Sequence, residues 1–144
     1  MSERPTTAGT DPDCIFCKIV AGDIPSRRVY EDEVAVAFLD VGPWSRGHTL
    51  VVPREHVADL VTDPPQLATI GPAIDATARL LVDKLAADGL NLLSSAKPVA
   101  GQEVFHLHVH LIPRYAAKPG LKNLIGPDPE AAADLDAVHA EITA

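Results

Sequence analysis

Between residues 105 and 113 the chain reads Phe-His-Leu-His-Val-His-Leu-Ile-Pro, so His106, His108 and His110 alternate with apolar residues. Alternation with a period of two is a strand pattern, because successive side chains of a strand point to opposite faces. It puts the three imidazoles on one face, and Phe105, Leu107, Val109 and Leu111 on the other, facing a core. On a helix each step of two would turn the side chain by about 200°, and no single site would hold all three. Imidazole changes charge near neutral pH and is at once a metal ligand, a proton carrier and a nucleophile. Two chemistries therefore stay open: three metal ligands on a strand, or a nucleophilic histidine acting on a phosphate with its neighbours in support.

A second constellation is Cys14-x-x-Cys17. A redox motif of this spacing would follow a strand in a βαβ unit, and only a polar leader precedes this one. Half of a zinc site fits better, and two thiolates need two more ligands. The remaining reading is two small buried residues one helical turn apart. The other histidines are His48, His56 and His139, the last read as an ordinary surface residue. Neither a P-loop nor a Gly-x-Gly-x-x-Gly fingerprint is present, so any phosphate must be held by the histidine strand and the loop that enters it.

These residues need a scaffold. Residues 1–12 read as a disordered leader, and 13–144 as a single domain. A short helix is expected from Cys14 to Gly22, capped by Asp13 and stopped by Gly22. Two strands, 27–31 and 34–39, are expected to form a hairpin around Asp32-Glu33. A third strand runs from His48 to Pro53. A long helix is expected over 63–88, with Asp63 and Gln66 forming a capping box and Pro72 kinking it. Its stripe of Leu67, Ile70, Ile74, Leu81 and Leu85 is a core or partner face. A strand at 90–93, the histidine strand and a final helix over 130–143 complete an α+β order. The sheet is mainly antiparallel with about five strands, and its edges invite a symmetric partner.

The chain has 144 residues and a formal net charge of −8, with 47% hydrophobic and 22% charged residues. That is an ordinary globular composition, and the acidity argues against binding a nucleic-acid backbone. No apolar run has the length of a membrane span. Met1 to Asp13 holds no signal-peptide core, and a cytoplasmic protein is expected.

Gln102-x-Val104-Phe105-His106-x-His108-x-His110-x-x-Pro113 resembles the histidine triad (HIT) family of nucleotide hydrolases and transferases. Cys14-Ile-Phe-Cys17-Lys-Ile, Ile24-Pro25, Val29-Tyr30-Glu31-Asp32, Phe38-Leu39-Asp40 and Gly47-His48-Thr49-Leu50-Val51-Val52-Pro53 look like its recurring segments in the same order. The resemblance covers roughly residues 14–115. It implies a HIT-like fold, a homodimer that joins two sheets, and a purine nucleotide lying across the sheet. It implies that the middle histidine, His108, attacks the α-phosphate of a nucleotide conjugate, such as a nucleoside phosphoramidate or a dinucleoside polyphosphate. The product is a covalent nucleotidyl-histidine that water or another acceptor breaks. His110 would stabilise the phosphoryl oxygens or protonate the leaving group. His48 would orient the triad from behind. Asp40 and Val41 match the family's ribose and base segment, and the loop holding Ser95, Gln102, Glu103 and Val104 would meet the phosphates.

In the cysteine-bearing branch of the family the resemblance implies a structural zinc held by Cys14, Cys17, His56 and His106, with His48 as the competing ligand. Two positions depart from the pattern: Ser95 stands where most members have Asn, and Glu103 where many have Ser. Glu103 is either a solvent-facing carboxylate or a group on the leaving-group side. The rival to an enzyme is a nucleotide-binding module of low turnover that keeps the pocket and the zinc; a protein using the whole triad as metal ligands is a third reading.

Overall fold

The structure, a computed structural model, describes residues 11–119 and 126–144. A five-stranded sheet carries the molecule, in the spatial order β1-β2-β3-β5-β4. Its strands are β1 (Arg28–Glu31), β2 (Ala35–Leu39), β3 (Thr49–Pro53), β4 (Gly89–Leu93) and β5 (Val109–Arg114). Every neighbouring pair is antiparallel. The helices are α1 (Ile15–Ala21), α2 (Gly71–Leu85), α3 (Pro129–Ala133) and α4 (Leu135–Thr143).

The two faces of the sheet are sorted by the period-two rule. Ala35, Ala37, Leu39, Val51, Val109 and Leu111 face one way, into a core closed by Ile70, Leu81 and Leu85 of the α2 region and by Val138 and Ile142 of α4. Val36, Phe38, Leu50 and Val52 face the other way and meet Phe16, Cys17 and Ile19 of α1. β2 and β3 are therefore buried on both faces, which is why they read as nearly unbroken apolar runs. The hairpin expected at Asp32-Glu33 forms: Asp32 Oδ1 accepts from Val34 N and Ala35 N, each at 2.9 Å. Gly47 must be glycine, since its φ is +87° and a Cβ there would lie 2.3 Å from Leu85 Cδ1.

Several expectations are corrected. Regular pairing of the histidine strand begins only at Val109, so the segment holding His106, at a bend, and His108 precedes β5. That segment is tied down by Leu107 N donating to Val57 O at 2.8 Å. Leu107 is buried as expected, but Phe105 is half exposed. The long helix begins at Gly71, and Pro72 lies in its first turn, where a missing N–H costs nothing and no kink follows. No capping box forms, because the Gln66 amide donates to Glu55 Oε1 at 3.4 Å. Helix α1 is capped by the Cys14 side chain, which accepts from Cys17 N, while Gly22 closes it in the left-handed conformation.

The last helix is broken at Asp134 into α3 and α4. His139 is not an idle surface group, since its Nε2 lies 2.7 Å from Arg28 O. Of the stripe expected as a core or partner face, Ile70, Leu81 and Leu85 are buried in the chain's own core, while Leu67 is exposed. The sheet's edge strands are β1 and β4, and on β4 Leu92 is exposed. Of the leader, residues 1–10 lie outside the described residues. Asp11 to Asp13 form a turn, with Cys14 N donating to Asp11 O at 3.0 Å. No described helix is long and apolar enough to cross a membrane.

Candidate active site and metal centre

The α1 side of the sheet gathers two polar clusters, one at each end of the histidine segment. The first joins Cys14 and Cys17 of the α1 turn, His56 from the segment after β3, and His106, all buried. Cys14 Sγ and Cys17 Sγ stand 3.4 and 3.5 Å from His106 Nδ1, Cys17 Sγ stands 3.3 Å from His56 Nδ1, and the two Nδ1 atoms are 3.1 Å apart. Ligands at the corners of a tetrahedron around zinc, with nitrogen near 2.0–2.1 Å and sulfur near 2.3 Å, stand about 3.3–3.8 Å from one another. The four donors fit that figure closely, and all four corners are protein atoms, so such a centre is closed to substrate.

The supporting contacts fit as well. His106 Nε2 lies 2.8 Å from Pro53 O, which places the ring proton there and turns the Nδ1 lone pair toward the thiols. Cys17 Sγ also accepts from Asp11 N at 3.4 Å. Burial pushes the Cys17 thiol up to about 11 and the His106 imidazole down to about 4. Burial thus favours the neutral forms of the Cys17 thiol and the His106 imidazole, and a divalent ion would reverse that for the thiol.

The second cluster is a line of imidazoles. Trp44 N donates to His48 Nδ1 at 3.0 Å, so the His48 proton sits on Nε2. His48 Nε2 faces His110 Nδ1 at 2.9 Å and donates to it, which leaves the His110 proton on its outer Nε2. Asp40 Oδ2 lies 3.8 Å from His48 Nε2. Asp40, His48 and His110 are close enough to share a metal, but the His48 proton occupies the point where an ion would bind. The two imidazoles are thus hydrogen-bonded to each other with Asp40 nearby, rather than forming a ligand set, and His48 is set apart from the cysteines.

His108 lies between the clusters. Its Nδ1 donates to His106 O at 2.8 Å, leaving the Nε2 lone pair uncommitted. Its ring stands edge-on to Phe16, with centroids 5.1 Å apart at 84°, and 5.0 Å from the His110 ring. Burial, first of all, lowers the pKa of His108, and the His106 carbonyl and Asp40 oppose it. Burial with the neighbouring imidazoles pushes His110 down to about 3, and burial with Arg114 nearby does the same for His48. At neutral pH all three are uncharged, and uncharged imidazole is the nucleophilic form.

The remaining candidates sit on the rim. Val41 is exposed beside Asp40, whose Oδ1 accepts from Gly42 N at 2.8 Å. The entry loop is pinned by Gln102: its Oε1 accepts from Lys97 N, and its Nε2 donates to Ala58 O and Val104 O. With its amide so engaged and its own N–H donating to Lys97 O at 3.2 Å, Gln102 shapes the loop that an incoming ligand would meet. The loop is held further by Lys97 Nζ on buried Asp59 at 3.1 Å. Ser95 is half-buried, Val104 packs beside α1, and Glu103 is exposed.

Three contributors escaped sequence reasoning. Trp44, whose ring stacks on His110 at 4.6 Å and 15°, lies in a loop with no periodicity to mark it. Ser94, whose hydroxyl donates to His108 O at 2.8 Å, follows β4 in a loop where no period singles it out. The Pro53 carbonyl is a main-chain group and leaves no trace in a side-chain pattern.

Comparison with known proteins gives a consistent result. The family model described as "HIT domain" matches residues 21–117. The chain is 47% identical over 108 residues to "Protein hit" of Bacillus subtilis, covering 74% of each. It is 38% identical over 103 residues to the "Adenylylsulfatase HINT3" of Arabidopsis thaliana, covering 71% of this chain and 52% of the plant protein. Among solved structures, a zinc-bound histidine triad family protein from Mycobacterium smegmatis superposes with a TM-score of 0.71 at 39% identity. That match covers 90% of this chain and 95% of the other.

Proposed function

The chain belongs to the HIT domain family, and from that premise we propose that it is a nucleotide-binding hydrolase or nucleotidyl transferase with His108 as its nucleophile. The observation that carries this reading is the His108 hydrogen bond to His106 O. An imidazole that donates through Nδ1 presents a lone pair at Nε2, and a ring held by its own main chain is aimed without further ordering.

In the proposed reaction His108 Nε2 forms a bond to the α-phosphorus of a purine nucleotide conjugate. The bond to the leaving group breaks, and that group departs with the electron pair. His110, whose Nε2 bears the proton, hydrogen-bonds the phosphoryl oxygens or the departing atom. His48 holds His110 in that tautomer. Water, or another acceptor, then breaks the phosphorus–nitrogen bond and frees His108. Asp40 and Val41 supply the ribose and base contacts. Glu103 N and Val104 N, which donate to no main-chain carbonyl among the described residues, are available to the phosphate beside Ser95 and Gln102.

Cys14, Cys17, His56 and His106 are proposed to hold a structural zinc, whose chemistry when bound is to lock three parts of the fold together: the α1 turn, the segment after β3 and the segment before β5. The similarity to a zinc-bound relative supports this. We read residues 13–144 as one domain, the working unit as a cytoplasmic homodimer paired through the β4 edge, and light scattering as the check on the dimer.

The substrate test is incubation with nucleoside phosphoramidates, dinucleoside polyphosphates and adenylyl sulfate, followed by analysis of the products. Release of a nucleoside monophosphate from any of them supports an enzyme. The second reading, a binding module of low turnover, is favoured by the exposed carboxylate of Glu103 at the rim. It would be indicated by tight nucleoside monophosphate binding with no product from any member of the panel.

A further inference from the structure

Trp44 is the chain's single tryptophan. It belongs to neither apolar core, so filling the interior does not explain it. Its ring stacks nearly parallel on His110, with centroids 4.6 Å apart at 15°, and tilts over His48 at 4.6 Å and 38°. Its main-chain N–H donates to His48 Nδ1 at 3.0 Å. Trp44 also lines an open cleft of about 600 Å³ shared with Arg46, Arg114 and Tyr115.

These contacts constrain different things. The main-chain N–H sets the His48 tautomer, and through it the His110 tautomer. A hydrogen bond from His48 Nε2 to His110 Nδ1 fixes one atom of the His110 ring but lets the ring swing about that bond. A plane laid against the imidazole removes that freedom. Trp44 borders the cleft, whereas His110 is not among the residues that line it. The polar groups near the ring are His48, His108 and Asp40, and its cross-strand neighbours Leu50 and Leu93 are aliphatic, so none of these lays a flat apolar surface on it.

We propose that Trp44 is a positioning residue: its indole fixes the plane of His110 and its main chain fixes the tautomer, so that His110 Nε2–H stays aimed at the phosphate. This rests on the assignment of His110 to the phosphate side of the site. It predicts that the shape of residue 44, a flat ring, matters more than its bulk, and that losing it harms the chemical step rather than nucleotide binding.

The experiment compares Trp44→Leu with Trp44→Phe on whichever conjugate the parent cleaves, with each variant's melting temperature recorded. Loss of alignment predicts that Trp44→Leu lowers kcat roughly 10- to 100-fold while KM stays within about threefold. Trp44→Phe, which keeps a ring face, should recover most of the rate. A Trp44→Leu enzyme with kcat within about twofold of the parent, or a Trp44→Phe enzyme as impaired as Trp44→Leu, would overturn the proposal.

A second arm needs no turnover and no change at residue 44. Tryptophan emission of the parent should respond to added AMP or GMP, and His110→Ala should abolish that response while equilibrium dialysis still detects binding. An equal response in His110→Ala would also overturn it. Absence of cleavage with every substrate would count against the proposed enzyme, and the emission arm would still decide the role of Trp44.

Discussion

His108 Nδ1 donates to the carbonyl oxygen of His106 at 2.8 Å. The residue whose ring faces two thiols thus holds, through its main chain, the imidazole two positions further on. His106 Nε2 is in turn fixed on Pro53 O at 2.8 Å. Ring, main chain and strand end form one connected unit, so a change at the metal cluster reaches the candidate nucleophile without crossing any mobile element. The entry loop is tied in as well, since Gln102 reaches Ala58 O, two residues from His56.

The metal centre should therefore matter to stability first and to catalysis second. Elemental analysis should find one zinc per chain. Chelation, or Cys17→Ser, should lower the melting temperature by several degrees without unfolding the domain. Structural zinc supplies ~10–16 kcal/mol in small peptides, whereas this chain has two apolar cores of its own. Metal-free protein that melts at the same temperature as the zinc-loaded form would remove the claim.

Acid should destabilise the fold through the imidazole line. His48 and His110 are held at about 3 in the native state, below an unfolded value near 6.5. Because the unfolded chain binds protons that the native one refuses, this contribution is fully present above pH ~6.5 and fades as pH falls toward 3. Each such histidine adds up to about 1.4 kcal/mol per pH unit to the slope. Urea unfolding at pH 7.0, 6.0 and 5.0 should show a shallower loss in His48→Asn than in the parent. Parallel slopes would contradict the burial argument.

Glu103 stands exposed in the loop that enters the histidine segment. A carboxylate there repels an incoming phosphate, weakly because water screens it. Glu103→Ser should raise kcat/KM for a phosphoramidate about 3- to 10-fold at low salt, and the gain should shrink at 0.5 M KCl, as expected for a screened charge. A slower Glu103→Ser enzyme would make Glu103 a proton donor to the leaving group instead. An unchanged rate would make it an ordinary rim residue.

Much of this site was legible because chemistry-bearing residues came with a period. The alternation around His106, His108 and His110 marked one face of a strand, and the structure keeps all three on the α1 side. It did not mark depth along that face. His106 sits before regular pairing begins and is turned against Pro53, while His110 is paired with Leu50 across β3. Residue pattern alone thus left ligand and nucleophile undivided, and the resemblance divided them. The helix start failed for a different reason. Asp63-Pro64 with Gln66 has the composition of a cap, but the Gln66 amide bonds Glu55, a tertiary contact that local sequence does not display. Trp44 and Ser94 act from loops, where no period singles out a residue.

The central claim is a covalent bond to His108. Substrate labelled at the α-phosphate should leave acid-labile label on the parent protein after a rapid quench, mapping to the peptide that contains His108. His108→Asn should carry no label and show no turnover, yet still bind nucleoside monophosphate. Label retained on His108→Asn, or normal turnover by that variant, would contradict the account.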